Sequence, residues 1–327
     1  MLPSISIVIP TLNSERTLGQ CLTHIRNQDY PKNRIEIIIA DAGSTDGTIG
    51  IAKKFKVDKI LKNPLITGEA GKSVGVKAAK NEIIALIDSD NLITEKNWLK
   101  KMVAPFQDKE IVGSEPFYYT RRKQDSYVTR YCALIGANDP LCIYLGNYDR
   151  FSILTGKWTG ADVEVEEEDN YLKISLSEKT IPTIGANGFL VRRKDLIKIG
   201  YSPYLFDIDV VYQLVKKGRN KFAKVDIGIV HLFAESWTGF AMKTWRRIRD
   251  YNKYRKLRKY PWLKLDMGKL SLFVLRTLLV LPLLLDVLQG YSRKPDPAWL
   301  FHPFACWLVL LIYSTGTVKN AVFGGSL

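Results

Sequence analysis

Cysteine is scarce in this sequence: 327 residues contain only four, and they are widely separated. No two of them form a C-x-x-C pair, and Cys306 lies inside an apolar run. A disulfide framework or a structural zinc site needs paired or closely spaced cysteines, so the sequence argues against both. The cysteine content is therefore typical of a protein in a reducing compartment.

A signal-type leader and a dinucleotide-binding loop are also missing. The first residues run straight into a strand-like segment, without a basic stretch followed by an apolar core, so we expect no secretory signal. The segment after the first predicted strand, Pro10–Glu15, has no glycine. A Rossmann oxidoreductase has G-x-G-x-x-G at this place, so the sequence argues against that class. No internal repeat or low-complexity tract is visible.

Acidic residues are outnumbered, with 33 Asp and Glu against 48 Lys and Arg and a formal net charge of +15. Such an excess suits nucleic acid, an anionic membrane surface or a phosphate-rich substrate. Eleven basic residues but only two acids lie between Lys243 and Lys269, directly before an apolar segment. This arrangement predicts a basic juxtamembrane helix that contacts anionic lipids on the cytoplasmic side; a solvated helix face is the alternative. No nucleic-acid recognition motif is visible, so we expect no such partner.

Strand-like and helix-like segments alternate over about the first 90 residues. This alternation predicts an α/β fold with a mostly parallel, doubly wound sheet. Ligands bind such sheets beyond the carboxyl ends of the strands, where the polar segments after Ile9, Ala40 and Ile87 fall. The predicted strands cover 5–10, 35–40, 57–61 and 82–87, and the predicted helices cover 14–28, 48–55 and 70–80.

The pattern between residues 105 and 180 is less regular. We expect this segment to form short helices and a hairpin. Regular structure is predicted again for a helix over 207–217 and a strand over 221–231.

Two long apolar segments predict a membrane hairpin. Leu270–Leu288 has 19 residues and Ala298–Val318 has 21, and about 20 apolar residues cross a bilayer core. Arg276 and Asp286 weaken the first segment, because a charge at the bilayer centre costs about 2.5–3.5 kcal/mol. The alternative is that one or both segments lie in the interface or pack on the soluble part.

Two aspartates in the triplet Asp88-Ser89-Asp90 directly follow the apolar segment EIIALI. Carboxylates two residues apart at a strand end can share one ligand, one reaching a ribose hydroxyl and the other a divalent metal on a pyrophosphate. Such oxygen ligands suit Mg²⁺ or Mn²⁺, which would neutralise charge on a leaving diphosphate. Helix N-capping is the competing explanation. Asp41, after the second strand, is by itself more typical of a turn.

Together these segments resemble a known family. The stretches VIPTLNSERTL, ADAGSTDGT and GKSVGVKAAKNEIIALIDSDN are similar to family-2 glycosyltransferases with the GT-A fold, over nearly the first hundred residues. The resemblance implies an enzyme that uses a nucleotide-diphosphate sugar and a divalent metal, Mn²⁺ or Mg²⁺. This sequence has Ala42 where the family usually has a second Asp. The nucleobase of the sugar donor is therefore left undetermined.

The resemblance also implies which residues bind the donor. Asp88 would touch the ribose and Asp90 would bind the metal. His231 is a candidate further metal ligand, because many relatives have a histidine near this position; a structural histidine is the alternative. The residues implied to line the nucleotide pocket are Pro10, Thr11, Asn13, Glu15, Asp41, Lys72, Asp88 and Ser89.

The second half resembles the acceptor side of the family. In IGANGFLVRR, Gly185 and Gly188 would let a sugar approach the backbone beside Asn187. The stretch YLFDIDVVYQLVKKG resembles the acidic helix start that contains the catalytic base, and its alignment places Asp207 on that base with Asp209 as the reserve. Capping of the helix N-terminus is the alternative for both aspartates.

Two arginines one helical turn apart, Arg246 and Arg249, are candidates to bind a diphosphate or a lipid phosphate. Processive polysaccharide synthases resemble this region but have Q-x-x-R-W. Asp250 stands where that Trp would be, so we do not expect processive polymerisation.

These features predict an inverting, metal-dependent transfer of a sugar to a hydroxyl of a lipid-linked or glycan acceptor, with Asp207 taking the proton. Transfer to a polyprenyl phosphate, whose oxygen is already ionised, is the main alternative, and a non-catalytic membrane scaffold is a remote one. The sequence leaves the donor sugar, the acceptor and the oligomeric state open. We expect a catalytic domain over 1–240, followed by a basic helix over 241–269 and two membrane helices over 270–319. Within the catalytic domain, the nucleotide-binding half covers 1–100, and the acceptor half covers 101–240 with an insertion at 117–180.

Overall fold

The computed structural model describes residues 2–261 and 266–322, and for residues 318–322 only the backbone. The chain forms two compact units. The sheet unit contains the residues up to Phe117 together with Asp162–His231, and the helical unit contains Tyr118–Ala161 and the residues from Leu232 onward. The chain therefore leaves the sheet unit twice, whereas the sequence predicts one continuous domain up to residue 240.

Ten strands and six helices form the described part of the sheet unit. The predicted alternation over the first 90 residues is confirmed, with ends that differ by one or two residues. In chain order the elements are β1 (Ile5–Thr11), α1 (Glu15–Arg26), β2 (Ile35–Asp41), α2 (Thr48–Lys54), β3 (Lys59–Lys62), α3 (Gly68–Ala78), β4 (Ile83–Leu86), β5 (Asn91–Leu92), α4 (Trp98–Val103) and β6 (Ile111–Tyr119). After the first excursion into the helical unit they are β7 (Glu164–Glu168), β8 (Tyr171–Ser175), β9 (Phe189–Arg192), α7 (Arg193–Lys198), α8 (Asp207–Lys216) and β10 (Lys221–His231).

The strands form one mixed sheet with the order β3-β2-β1-β4-β9-β6-β10-β8-β7, and β5 pairs with β10. The first four strands in this order pair in parallel, and the pairs of β9 with β4 and β6 and of β8 with β10 and β7 are antiparallel. Strands β1, β2 and β4 are almost continuously apolar and buried, as expected for a parallel sheet covered on both faces. The predicted α/β class is therefore confirmed.

Strand β7 lies at one edge of the sheet and is unlike the rest. Among the described residues it pairs with β8 alone, which confirms the predicted hairpin. All five of its residues are exposed, and four of them are glutamates.

A fully buried ion pair ties two strands of the sheet together. Nζ of Lys224 on β10 lies 2.8 Å from Oε2 of Glu115 on β6, and both side chains are completely buried. The other carboxylate oxygen of Glu115 accepts the backbone N–H of Gly185 at 2.9 Å. Because desolvation of two charges is costly, the loss of one partner leaves the other buried and uncompensated.

Six α-helices belong to the described part of the helical unit. Their apolar faces share one core that includes Tyr131, Phe240, Phe273 and Trp299. In chain order the helices are α5 (Tyr127–Ile135), α6 (Pro140–Leu145), α9 (Trp237–Tyr254), α10 (Met267–Leu279), α11 (Leu281–Arg293) and α12 (His302–Val322).

The segment Leu270–Leu288, predicted as one membrane helix, forms two helices with a break at Val280. The axes of α10 and α11 differ in direction by 93° across this residue. Pro282 explains the break, because it lacks an amide donor and its ring collides with the carbonyl four residues earlier. Among the described residues, Pro297–Thr317 is the one continuous helix whose length and composition suit a membrane crossing.

Lys224→Met is expected to lower the free energy of unfolding by about 3–5 kcal/mol, because Glu115 is left charged and buried. The matched control is Lys100→Met, which removes an exposed pair with Asp29 and should cost less than about 1 kcal/mol. Urea denaturation of both variants measures the difference. Equal and small losses would contradict the importance of the buried pair.

Candidate active site

The polar segments predicted to share one edge of the sheet do so. The register pairs Thr11 of β1 with Asp41 of β2, and Val8 of β1 with Leu86 of β4. Asp88 lies two residues beyond Leu86, so it is on the same edge as Asp41, on the other side of β1. Two strand spacings separate them, about 10 Å. This separation suits the two ends of an extended ligand.

Asp41 organises the turn after β2. Its two carboxylate oxygens accept hydrogen bonds from the hydroxyls of Thr11 (2.8 Å) and Ser44 (2.6 Å) and from the backbone N–H groups of Gly43 (3.0 Å) and Ser44 (2.9 Å). Burial alone would raise the pKa of the Asp41 carboxyl, but the hydrogen bonds from Ser44, Thr11 and Gly43 outweigh it and lower the pKa. Asp41 is therefore an anion at neutral pH.

Asn13 and Glu15, both predicted in the nucleotide pocket, hold this same turn. The backbone N–H of Asn13 donates to Ser44 Oγ at 2.8 Å, and its Oδ1 accepts from the N–H of Thr45 at 2.9 Å. Oε2 of Glu15 accepts from the N–H of Gly47 at 3.0 Å. The two segments after β1 and β2 therefore form one connected rim.

A buried lysine joins the predicted base to the Asp88 carboxylate. Nζ of Lys72 on α3 lies 2.8 and 3.1 Å from the two carboxylate oxygens of Asp207 and 3.7 Å from Oδ1 of Asp88. The Lys72 side chain is only 6% exposed, whereas those of Asp207 and Asp88 are 26% and 29% exposed. The ammonium is thus covered, and both carboxylates remain open to a ligand.

The surroundings of Asp207 shift its ionisation. Burial, reinforced by the nearby Asp88 charge, raises the pKa of the Asp207 carboxyl to about 6, although the Lys72 ammonium opposes the shift. Burial would lower the pKa of Lys72, but Asp207 and then Asp88 raise it well above its usual value. Lys72 therefore stays charged, and Asp207 ionises close to neutral pH.

Asp90, at the end of the aspartate triplet, lies close to His231 at the end of β10. Nε2 of His231 lies 3.6 Å from Oδ2 of Asp90. Asn91 donates to Oδ1 of Asn187 at 3.1 Å and to Oδ1 of Asp90 at 3.4 Å, and its own Oδ1 accepts the N–H of Asp88. Asn91 therefore fixes the aspartate turn and connects it to the Asn187 segment.

The two glycines of the Asn187 segment are required by packing within the protein. Gly185 has φ of +116°, and a Cβ there would lie 2.8 Å from the carbonyl oxygen of Asp207. Gly188 has φ of +90°, and its Cβ would lie 2.7 Å from Ile229. Glycine is needed at both positions because neighbouring protein atoms occupy the space of a side chain. The sequence had suggested a different reason, the approach of a sugar to the backbone.

Three further predicted residues, Pro10, Ser89 and Asp209, also belong to the sheet unit. Pro10 packs closely on Gly71, and the Ser89 hydroxyl donates to Ser14 Oγ at 3.0 Å, so both belong to the same sheet edge. Asp209 is buried in the first turn of α8.

Arg246 and Arg249 belong to α9 of the helical unit. Arg249 lies 3.3 Å from Asp250. The neighbouring Arg247 donates to Asp139 at 2.7 Å and to the Tyr313 hydroxyl at 3.3 Å.

Sequence reasoning missed Asn91, Ser44 and the Lys72–Asp207 pair. Asn91 had a visible signal, since it directly follows the aspartate triplet. The pair had none, because its members are 135 residues apart.

The side chains near Asp90 fit a metal site that a substrate would complete. Within residues 2–261 and 266–322, no group of three or more His, Cys, Asp and Glu side chains is arranged to hold an ion by itself. Asp90 and His231 supply an oxygen and a nitrogen donor side by side. Mg²⁺ is commonly bound by one or two carboxylates plus the phosphates of a substrate, so a diphosphate would complete this site.

The chain is similar in sequence to known sugar-transfer proteins. A glycosyltransferase AglE from Haloferax volcanii is 32% identical over 108 residues, which cover 32% of this chain and 35% of that protein. A dolichyl N-acetyl-α-D-glucosaminyl phosphate 3-β-D-2,3-diacetamido-2,3-dideoxy-β-D-glucuronosyltransferase from Methanococcus voltae is 34% identical over 109 residues, which cover 32% and 34%. The chain thus matches about a third of the length of these relatives.

The fold has a counterpart among solved structures. The mannosyltransferase PcManGT from Pyrobaculum calidifontis, solved in complex with GDP-Man and Mn²⁺, superposes with a TM-score of 0.59 at 15% identity over 98% of this chain and 88% of that one. The GT-A architecture implied by the sequence is therefore confirmed.

The family assignment rests on the longest match. The model of glycosyl transferase family 2 matches residues 6–200, more than half of the chain, and this range includes Asp41, Lys72, Asp88 and Asp90. The sheet edge with its aspartates therefore lies within the matched range, and the chain belongs to glycosyl transferase family 2.

Proposed function

We propose that this enzyme transfers a sugar from a nucleoside-diphosphate sugar to a hydroxyl group of a lipid-linked acceptor, with inversion at the anomeric carbon. The observation that supports this most is the Lys72 bridge, which holds a carboxyl with a pKa of about 6 next to the Asp88 carboxylate. A base for an acceptor hydroxyl and a carboxylate for the donor are thereby kept in one place.

The donor is proposed to lie along the sheet edge from Asp41 to Asp90. Asp41 and the rim formed with Asn13 would face the nucleoside, and Asp88 would accept a ribose hydroxyl. Asp90 and His231 would hold a divalent cation together with the diphosphate. When bound, that cation neutralises charge on the leaving diphosphate. The Pyrobaculum mannosyltransferase, solved with GDP-Man and Mn²⁺, supports this choice of donor and metal.

The acceptor is proposed to be deprotonated by Asp207. A neutral alcohol is a weak nucleophile, and a positioned carboxylate that removes its proton accelerates such reactions by about 10²–10⁴-fold. Asp207 begins α8 and is held by Lys72 on one side and by the close packing of Gly185 on its backbone on the other. A single displacement with the base opposite the leaving group inverts the anomeric centre.

The helical unit supports an acceptor at a membrane. The apolar helix Pro297–Thr317 and exposed leucines on α10 and α11 are suited to lipid contact, and the basic residues of α9 suit the anionic cytoplasmic leaflet. Arg246 and Arg249, both exposed, would bind the phosphate of a lipid acceptor. The name of the Methanococcus voltae relative specifies an acceptor sugar on a dolichyl phosphate, which agrees with this proposal.

Asp207→Asn should reduce kcat by about 10²–10⁴-fold while donor binding changes little, because the acceptor hydroxyl loses its proton acceptor. Turnover with saturating donor and acceptor measures the loss. Asp209→Asn, on the same helix turn, is the matched control and should retain most activity. Full activity of Asp207→Asn would favour a polyprenyl phosphate acceptor, which needs no base, and inactivity of Asp209→Asn alone would move the base to Asp209.

The pH dependence of kcat/KM should follow the ionisation of Asp207. With a pKa of about 6 in the free enzyme, the carboxyl is protonated and unable to accept a proton below that pH. The value of kcat/KM should therefore fall about tenfold per pH unit below pH 6 and be level above it. A profile that stays flat down to pH 4.5 in the wild-type enzyme would contradict the assignment.

Asp90→Ala should weaken binding of UDP and GDP in the presence of Mn²⁺ by about 10- to 100-fold and remove the difference between binding with and without Mn²⁺. Titration calorimetry with both nucleotides measures this. Asp29→Ala, an exposed carboxylate paired with Lys100, is the control. Binding that is equally strong without metal in the wild type would refute the metal site and leave the proposed base untouched.

A further inference from the structure

The bent pair α10–α11 exposes a regular row of leucines. On α10 these are Leu272, Leu275 and Leu279, and on α11 they are Leu281, Leu284 and Leu288, in each case with the spacing i, i+3, i+7 of one helix face. Each of the six is between 47% and 65% exposed. We call these six residues the leucine wedge.

The opposite faces of both helices are buried. Phe273 and Thr277 of α10 and Leu283 of α11 are almost completely covered by the core of the helical unit. The wedge is therefore a rigid surface set by packing on its reverse side. Soluble proteins rarely expose large apolar patches, and such patches mark contacts with a membrane or with another protein.

The dimensions of the pair do not suit a crossing. Each helix has 13 residues, about 20 Å of length, against a hydrocarbon core of about 30 Å. With the axes bent by 93°, a wedge that enters point-first reaches about 14 Å. That depth remains within a single leaflet of about 15 Å.

An ion pair spans the break on the protein side. Nη2 of Arg276 lies 2.8 and 2.9 Å from the two oxygens of Asp286, and the Tyr144 hydroxyl donates to Asp286 at 2.8 Å. The Asp286 side chain is only 13% exposed. The two charges that argue against a straight span therefore hold α10 and α11 at their angle and neutralise each other beside the wedge.

The outer ends of the pair have the opposite character from its point. Lys269 at the start of α10 and Arg293 and Lys294 at the end of α11 are exposed, as is the ring of Tyr291. Basic and aromatic residues that flank a leucine surface are typical of helices lying in an anionic membrane interface.

We propose that the leucine wedge inserts into one leaflet of an anionic bilayer without crossing it, so that both of its basic ends stay on the same side. This binding mode is a property of the helical unit and does not depend on the proposed sugar transfer. It leaves Pro297–Thr317 as the one continuous described helix that suits a crossing.

Side-selective labelling tests the topology in the full chain. In a variant whose four cysteines are replaced by serine, Met267→Cys and Ser292→Cys place one exposed thiol at each end of the pair. Inside-out and right-side-out membrane vesicles are treated with an impermeant maleimide. We expect both positions to be labelled in the same type of vesicle. Labelling of the two positions in opposite types would show that the pair crosses the bilayer and would overturn the proposal.

Spin-label accessibility tests the depth. Leu281→Cys at the point of the wedge should be reached by oxygen and protected from a water-soluble nickel complex in vesicles of phosphatidylcholine and phosphatidylglycerol. Leu65→Cys, an exposed leucine of the sheet unit, is the matched control and should be reached by the nickel complex. Access of nickel to position 281, or protection from both reagents by another protein chain, would refute lipid insertion. UDP and GDP binding by the cysteine-free protein shows that the sheet unit remains folded.

Discussion

The contact between Lys72 and two carboxylates is the interaction on which the active site depends. Asp88 follows β4 and Asp207 begins α8. Without the Lys72 ammonium between them, the two carboxylates would repel each other. The Lys72 ammonium, covered by protein, offsets this repulsion and leaves one negative charge in excess. In the proposed function, this charge balance would keep Asp207 available as a base and still admit an anionic donor, because a cation bound with the diphosphate would compensate for the excess charge.

A second set of contacts connects Asp207 to the rest of the sheet unit. The buried Lys224–Glu115 pair ends on the backbone of Gly185, and Gly185 in turn packs against the backbone of Asp207. Asp207 is therefore positioned by two ion pairs, Lys72–Asp207 and Lys224–Glu115, that come from different strands and helices. Such support from rigid elements explains how a carboxylate at the start of a helix can have a defined direction.

The sequence predicted the fold of the first hundred residues because local signals agree there: apolar strands, helix spacing and polar strand ends all indicate the same parallel sheet. It also identified the aspartates of the sheet edge. It could not provide the Lys72–Asp207 contact, which joins residues far apart in the chain. It predicted one membrane helix over Leu270–Leu288 from length and composition, and the break at Val280 divides this segment into two helices. The hydrogen bonds of Asn13 and Glu15 to the Ser44–Gly47 turn were likewise outside its reach, since they depend on the register of β1 and β2.

The acidic edge strand β7 affects how copies of this chain can associate. Its backbone is the open border of a sheet, and an open border is a template for pairing with another chain. Four exposed glutamates there give every copy the same sign of charge along that border. Copies of the chain at high local density would therefore repel each other edge to edge, although the net charge of the chain is positive.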